Sequence, residues 1–276
     1  MGQKYEFDNV VAETLLIPLY MRAKESKRKK SIILKDKLAE KLADEIDYDY
    51  SKLDAAKFSY IGCAVRGWFY DRIIQKFISS HTHPIVVNIG CGLDTRFQRI
   101  KEKSNALFYE MDLPEVISLR RKLIPEPERD VYIAASLLDV NWMDELKNKH
   151  PEGSFIIVAE GVLMYFYEKQ VKQFLNRIAE RFEGGLLCFD VCGTMMTKHH
   201  IKPDSLRKSE AQIRFGIDDG HIVEEWEPRL KLVKQASYMS FFRSRWGFLG
   251  SIMGIFPKFC YKFSSLLEYR ICTNTL

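Results

Sequence analysis

Apolar positions along the chain follow two different spacings. Near the amino terminus they recur every fourth residue. Val11, Leu15 and Leu19 predict a helix over residues 8–24, with Asp8 as its cap and Pro18 as a kink. Leu34, Leu38, Leu42 and Ile46 predict a second helix over Ile33–Ile46, and Val65, Phe69, Ile73 and Phe77 a third over 62–79. From residue 85 short continuous apolar runs take over: Ile85–Ile89, Ala106–Met111, Val131–Ala134, Phe155–Ala159 and Leu186–Val191. Runs of this kind suit strands buried on both faces of a parallel sheet. Helical patterns stand between them. One opens at Pro114, a favoured first helical position, and another covers Glu168–Phe182 with Val171, Phe174, Leu175 and Ile178 inward. Residues 192–229 break the alternation, being polar and ending in the turn-rich Ile217–Gly220. Residues 230–239 predict a sixth strand and Leu267–Cys272 a seventh.

The alternation predicts an α/β fold: a doubly wound, mostly parallel, Rossmann-like sheet of seven strands, with an N-terminal helical cap and a lid inserted after strand five. The 46% apolar content supplies a sizeable core, and 276 residues fit one domain with additions. A net charge of +5 is mild and implies no polyanionic partner. The basic stretch Lys24, Lys27, Arg28, Lys29 and Lys30 has no interleaved aromatics for stacking bases, so it reads as a solvated loop and not a nucleic-acid surface. Six cysteines without a CxxC pair suggest reduced thiols in a cytoplasmic protein. The longest uncharged run, Trp246–Pro257, is too short to span a bilayer, so no stable membrane insertion is expected. The histidines lack metal-site spacing, and no metal is expected.

Chemistry concentrates at Ile85–Thr95, IVVNIGCGLDT. A buried strand running into Gly90-Cys91-Gly92 brings bare backbone up to a ligand at a strand's carboxyl end. Thr95 stands where a dinucleotide fingerprint has its third glycine, which suits a nucleoside ligand without a pyrophosphate. Thr95 and Gln98 have the spacing of a capping box. Glu110 and Asp112 fall about 20 residues past Gly90, the range for an acid that accepts from ribose hydroxyls. With Asp139 and Glu160 they place acids at or just past three strand ends.

These residues resemble the class I S-adenosylmethionine-dependent methyltransferases, and most closely the leucine carboxyl methyltransferase superfamily in its polyketide-type O-methyltransferase branch. The resemblance is carried by ETLLIPLYMRA (Glu13–Ala23), AVRGWFYD (Ala64–Asp71), NIGCGLDTR (Asn88–Arg96), YEMDLPEVI (Tyr109–Ile117), ASLLDVNWM (Ala135–Met143), AEGVLMYF (Ala159–Phe166) and FGIDD (Phe215–Asp219). It implies a cap over 1–80, a cofactor-binding core over 81–191, a lid or substrate insertion over 192–229 and C-terminal strands with a helix over 230–276. It also implies roles. Gly90 and Gly92 would lie under the methionine part of the cofactor, Asp112 would accept from both ribose hydroxyls, and Ser136 and Leu137 would flank the adenine. Glu160 would accept from the ammonium group, Arg66 would pair with the cofactor carboxylate, and Arg22 would serve that region or the acceptor. Ser136 departs from the protein-carboxyl branch, which carries an acid there.

The function implied is an O-methyltransferase acting on a hydroxyl or carboxyl group of a small molecule. A protein carboxyl methyltransferase and a non-catalytic S-adenosylmethionine-binding protein are the alternatives. No base is certain: Tyr165, His199 and His200 are candidates, with His221 beside them, although packing or surface roles are commoner for such residues. A membrane-surface reading of Arg243, Arg245, Trp246, Phe248, Lys258 and Lys262 also arises, against the expectation that this stretch packs into the core.

Overall fold

The computed structural model describes residues 10–103, 105–198, 201–207 and 211–273. Three helices come first: α1 (Val10–Ser26), α2 (Lys37–Glu45) and α3 (Lys57–Ser80). Then follow β1 (Pro84–Ile89), α4 (Arg96–Arg99), β2 (Leu107–Asp112), α5 (Pro114–Leu123), β3 (Asp130–Ala134), α6 (Asn141–Lys149), β4 (Ser154–Ala159), α7 (Glu168–Arg181) and β5 (Leu186–Cys192). The carboxyl-terminal part adds α8 (Thr194–Lys198), α9 (Ile222–Trp226), β6 (Leu230–Ala236), α10 (Gly247–Met253), α11 (Pro257–Cys260) and β7 (Ser264–Ile271).

The strands form one sheet in the order β3-β2-β1-β4-β5-β7-β6. β1 to β5 pair in parallel, while β7 runs antiparallel to both β5 and β6. The sheet is therefore seven-stranded, mostly parallel and Rossmann-like. Strand alternation sorts its side chains onto two faces. Ile85, Val87 and Ile89 pack with α6 and α7 on one side, and Val86, Phe108, Ile156 and Val158 pack against α3 on the other. That burial on both faces explains why the core strands read as unbroken apolar runs. No helix among the described residues is long and apolar enough to cross a membrane.

Three local readings need correction. The second helix starts at Lys37 and not at Ile33, because the Asp36 carboxylate accepts from the Ala39 N–H at 3.0 Å and caps it there. Thr95 makes no capping box with Gln98. Its hydroxyl donates to Asp36 at 2.5 Å, and α4 is a single turn. The Phe241–Phe263 stretch packs only in part: Trp246 and Cys260 are buried, whereas Phe248, Phe256 and Phe259 are exposed.

Candidate functional site

From β1 the chain crosses to β2 on one side, and from β4 to β5 on the other. β1 and β4 lie side by side, so a crevice opens beyond their carboxyl ends, where ligands of open α/β sheets bind. A cavity of about 1020 Å³ occupies it. Arg22, Arg66, Gly90, Gly92, Asp112, Ser136, Leu137, Glu160 and Tyr165 all line this cavity. His199 and His200 lie outside the described residues. His221 is exposed, pairs with Glu224 at 3.3 Å and does not line the cavity.

Gly90 (φ 62°) and Gly92 (φ 49°) turn the chain out of β1 through left-handed conformations. A Cβ at Gly90 would sit 2.3 Å from Val162 Cγ2, so the bare face of this glycine is filled by Val162 from beyond β4. Asp112 ends β2 with both oxygens anchored: Oδ2 accepts from Gly92 N–H and Oδ1 from Leu113 N–H, each at 2.8 Å. Burial raises its carboxyl above the ordinary range, against the pull of those two N–H groups. Glu110, two residues earlier, is fully buried on Asn88 (2.8 Å) and away from the cavity. Burial pushes its carboxyl up. Asp139 is exposed and accepts from Asn141 N–H at the start of α6, so it is a helix-end acid and lines no cavity. Ser136 accepts from Leu138 N–H at 3.2 Å.

Along the cavity wall runs an ion-pair network that local sequence does not reveal. Arg66 Nε donates to Glu160 and Nη1 to Asp190, both at 2.9 Å, and the guanidinium lies over Gly161. Arg96 bridges Asp71 (2.8 Å), Asp94 (3.0 Å) and Glu160. Arg99 holds Asp71 (2.6 Å) and Asp94 (2.5 Å) and approaches Asp36 at 3.5 Å. Arg22 donates to Asp36 at 3.1 Å and to the Leu93 carbonyl at 2.8 Å. Asp190 further accepts from Tyr238 OH at 2.9 Å and Gly161 N–H at 2.6 Å. Burial alone would raise the Glu160 carboxyl, but Arg66 and Arg96 outweigh it and hold it below the usual range. Asp94 is held well below that range by Arg96, Arg99 and Arg22, again against burial. Four guanidinium groups face five carboxylates in this network, which leaves one negative charge beside the cavity.

Asp190 and Arg96 were not predicted. The signal for Asp190 was a lone acid inside the apolar run Leu186–Cys192, and for Arg96 an arginine directly after the glycine turn. Much of the cavity wall is apolar, with Met164, Phe166, Met196, Met239, Trp246 and Phe263 on it. Residues 201–207 of the insertion between β5 and β6 also line it, so the insertion reaches the ligand space. Asp204 fixes this segment by accepting from the N–H groups of Phe58 and Ser59 at 2.8 and 2.9 Å, at the start of α3. Asp218, in the Phe215–Asp219 motif, accepts from Thr194 N–H and Oγ1 and anchors α8. Burial pushes the Tyr165 phenol up to about 12. Among the described residues no group of three or more His, Cys, Asp or Glu is arranged to hold a metal ion.

Comparison with known proteins adds four findings. The family model for leucine carboxyl methyltransferase matches residues 16–179. Tetracenomycin polyketide synthesis O-methyltransferase TcmP of Streptomyces glaucescens is 29% identical over 229 residues, 83% of either chain. The S-adenosyl-L-methionine-dependent methyltransferase dpfgK of Gibberella zeae is 27% identical over 238 residues, 79% of either chain. Among solved structures, a DUF574-family protein from Streptomyces avermitilis shares the fold with a TM-score of 0.62, at 13% identity over 95% of this chain and 99% of that one.

Proposed function

Since the chain belongs to the leucine carboxyl methyltransferase family, and is thus an S-adenosylmethionine-dependent methyltransferase, we propose that it methylates a hydroxyl or carboxyl oxygen of a small, largely apolar molecule. The residues of the crevice fit that cofactor. A net cationic ligand, bearing a sulfonium, an ammonium and one carboxylate, suits a network with one excess negative charge. On this reading Asp112, each oxygen keeping a free lone-pair direction, accepts from the two ribose hydroxyls. Leu137 and Ser136 flank the adenine. Glu160 accepts from the ammonium, Arg66 meets the carboxylate, and Arg22, held by Asp36, positions the loop at Leu93. Gly90 and Gly92 shape the turn beneath the methionine part.

The bound sulfonium supplies an already activated methyl group. What remains for the chain is to align an acceptor oxygen in line with it and keep water out. The observation that carries the small-molecule reading is the cavity's largely apolar wall of thioether and aromatic groups, which residues 201–207 also line. At about 1020 Å³ it lies at the top of the ordinary small-ligand range of roughly 300–1,000 Å³, enough for two ligands side by side. TcmP, whose name places it in polyketide synthesis, supports an acceptor of that character. With its phenol at about 12, Tyr165 stays protonated near neutral pH and suits donating a hydrogen bond to the acceptor better than taking its proton.

The test is incubation of the pure protein with methyl-labelled S-adenosylmethionine and a panel of aromatic and aliphatic hydroxy and carboxylic acids. Label is expected in a small product. Alkali releases it as methanol from an ester and leaves it on an ether, which separates the two kinds of oxygen. Label confined to protein bands would overturn the proposal in favour of protein carboxyl methylation. Cofactor binding with no acceptor labelled across the panel would favour a non-catalytic role.

A further inference from the structure

The segment between β6 and β7 has two unlike faces. Trp246, Met253, Cys260 and Phe263 point inward and line the cavity. Phe248, Leu249, Ile252, Ile255, Phe256 and Phe259 are exposed, Phe248 at 80% and Leu249 at 74%. Single exposed apolar residues are ordinary, but six large ones in twelve consecutive residues form a patch that calls for a partner. The polarity of α10 is inverted relative to a core helix. Gly250 is buried, a Cβ there lying 2.5 Å from the Cβ of buried Trp246, and Gly254, just past the helix end, lies so close to the body that a Cβ would sit 2.2 Å from the Met239 carbonyl oxygen. The large residues are left on the outside.

Charge narrows the partner. Phe241–Phe263 contains no acid and four cations. Arg245 is committed to Glu25 at 2.8 Å, whereas Arg243, Lys258 and Lys262 are exposed and form no ion pair among the described residues. A second copy docked on the same face would bring these like charges together. An anionic bilayer offers both an apolar phase for the phenylalanines and countercharge for the cations.

We propose that residues 243–262 form a docking face for anionic lipid bilayers. The face is continuous with the cavity rim. Exposed Phe259 meets cavity-lining Phe263 edge-on at 5.8 Å, and Phe58, exposed and on the cavity wall, stacks on Trp246 at 6.4 Å. An apolar acceptor dissolved in the bilayer thus reaches the cavity along an apolar path; this consequence rests on the acceptor reading above, the docking itself does not.

The test is co-sedimentation of the full chain with phosphatidylcholine vesicles, with and without phosphatidylserine. Binding that requires phosphatidylserine and weakens with salt is expected. The Phe248→Ser/Phe256→Ser double variant should lose it while keeping S-adenosylhomocysteine affinity, which shows that it folds. Lys258→Gln/Lys262→Gln should weaken partition on the order of twenty-five-fold, at about fivefold per cation. Absence of phosphatidylserine-dependent binding, or its retention in the phenylalanine variant, would overturn the proposal. A dimer abolished by Phe248→Ser/Phe256→Ser, without vesicle binding, would assign the face to self-association instead.

Discussion

Replacing Asp112 by alanine removes two acceptor oxygens from the tip of β2. The structure sets the size of the effect. Both oxygens are pinned by backbone N–H groups at 2.8 Å, so the carboxylate is oriented before any ligand arrives and little ordering cost is met on binding. A hydrogen bond to a charged group contributes roughly 1.5–3 kcal/mol, and loss of two such bonds to ribose hydroxyls is expected to weaken S-adenosylhomocysteine binding by about 3–6 kcal/mol, on the order of a hundredfold or more. Asp112→Asn is not a mild control here. Whichever way the amide turns, its NH2 faces either the Gly92 or the Leu113 N–H, donor against donor, so it should bind nearly as poorly as alanine. Isothermal calorimetry at fixed ionic strength measures both variants, and a thermal scan checks that they remain folded. An affinity within threefold of the parent for Asp112→Ala would refute the ribose assignment.

Gly90→Ala combines a left-handed backbone at φ 62° with a Cβ 2.3 Å from Val162, and should cost about 2–5 kcal/mol, read as a lower midpoint in urea unfolding. A parallel Val162→Ala change should recover part of it; no recovery would show that the clash is not the cause. Asp190→Asn takes a charge from a carboxylate serving Arg66, Tyr238 and Gly161 together, and a loss of roughly 3–5 kcal/mol is expected, with weaker cofactor binding as Arg66 loses its anchor. Equal stability of the variant would show that Arg66 is held adequately by Glu160 alone. Burial, and then the neighbouring Glu110, push the Asp130 carboxyl up to about 8. A carboxyl raised in the folded state stabilises fully below its unfolded value and loses that contribution as pH rises toward the folded one. The parent's melting temperature should therefore fall between about pH 4 and 8, and Asp130→Asn should flatten that slope. A parallel pH profile in parent and variant would contradict this.

The residues determined much of this outcome locally. Unbroken β-branched runs specify strands that are covered on both sides, and the fourth-residue spacing of Val65, Phe69, Ile73 and Phe77 specifies the helix that covers one of them. The glycine turn was legible because a bend out of β1 through positive φ admits few residues other than glycine. Asp112 and Glu160 were legible because strand ends in an open parallel sheet converge on one crevice. Other choices belonged to the tertiary structure. Glu110 and Asp112 lie on the same side of β2. A rise of about 6.6 Å between them brings only Asp112 to the strand's carboxyl end, where it lines the cavity, and no local pattern marks where that end falls. Arg66 meets Glu160 and Asp190 across 94 and 124 residues, pairings that periodicity cannot express because their energy depends on distance in space. Whether β7 inserts between β5 and β6 depends on edge pairing, not on its own composition. The same limit left the stretch of α10 and α11 open between a membrane surface and the core. A glycine- and phenylalanine-rich stretch reads as core by composition, yet the close approach of Gly250 and Gly254 to the body turned its large side chains outward.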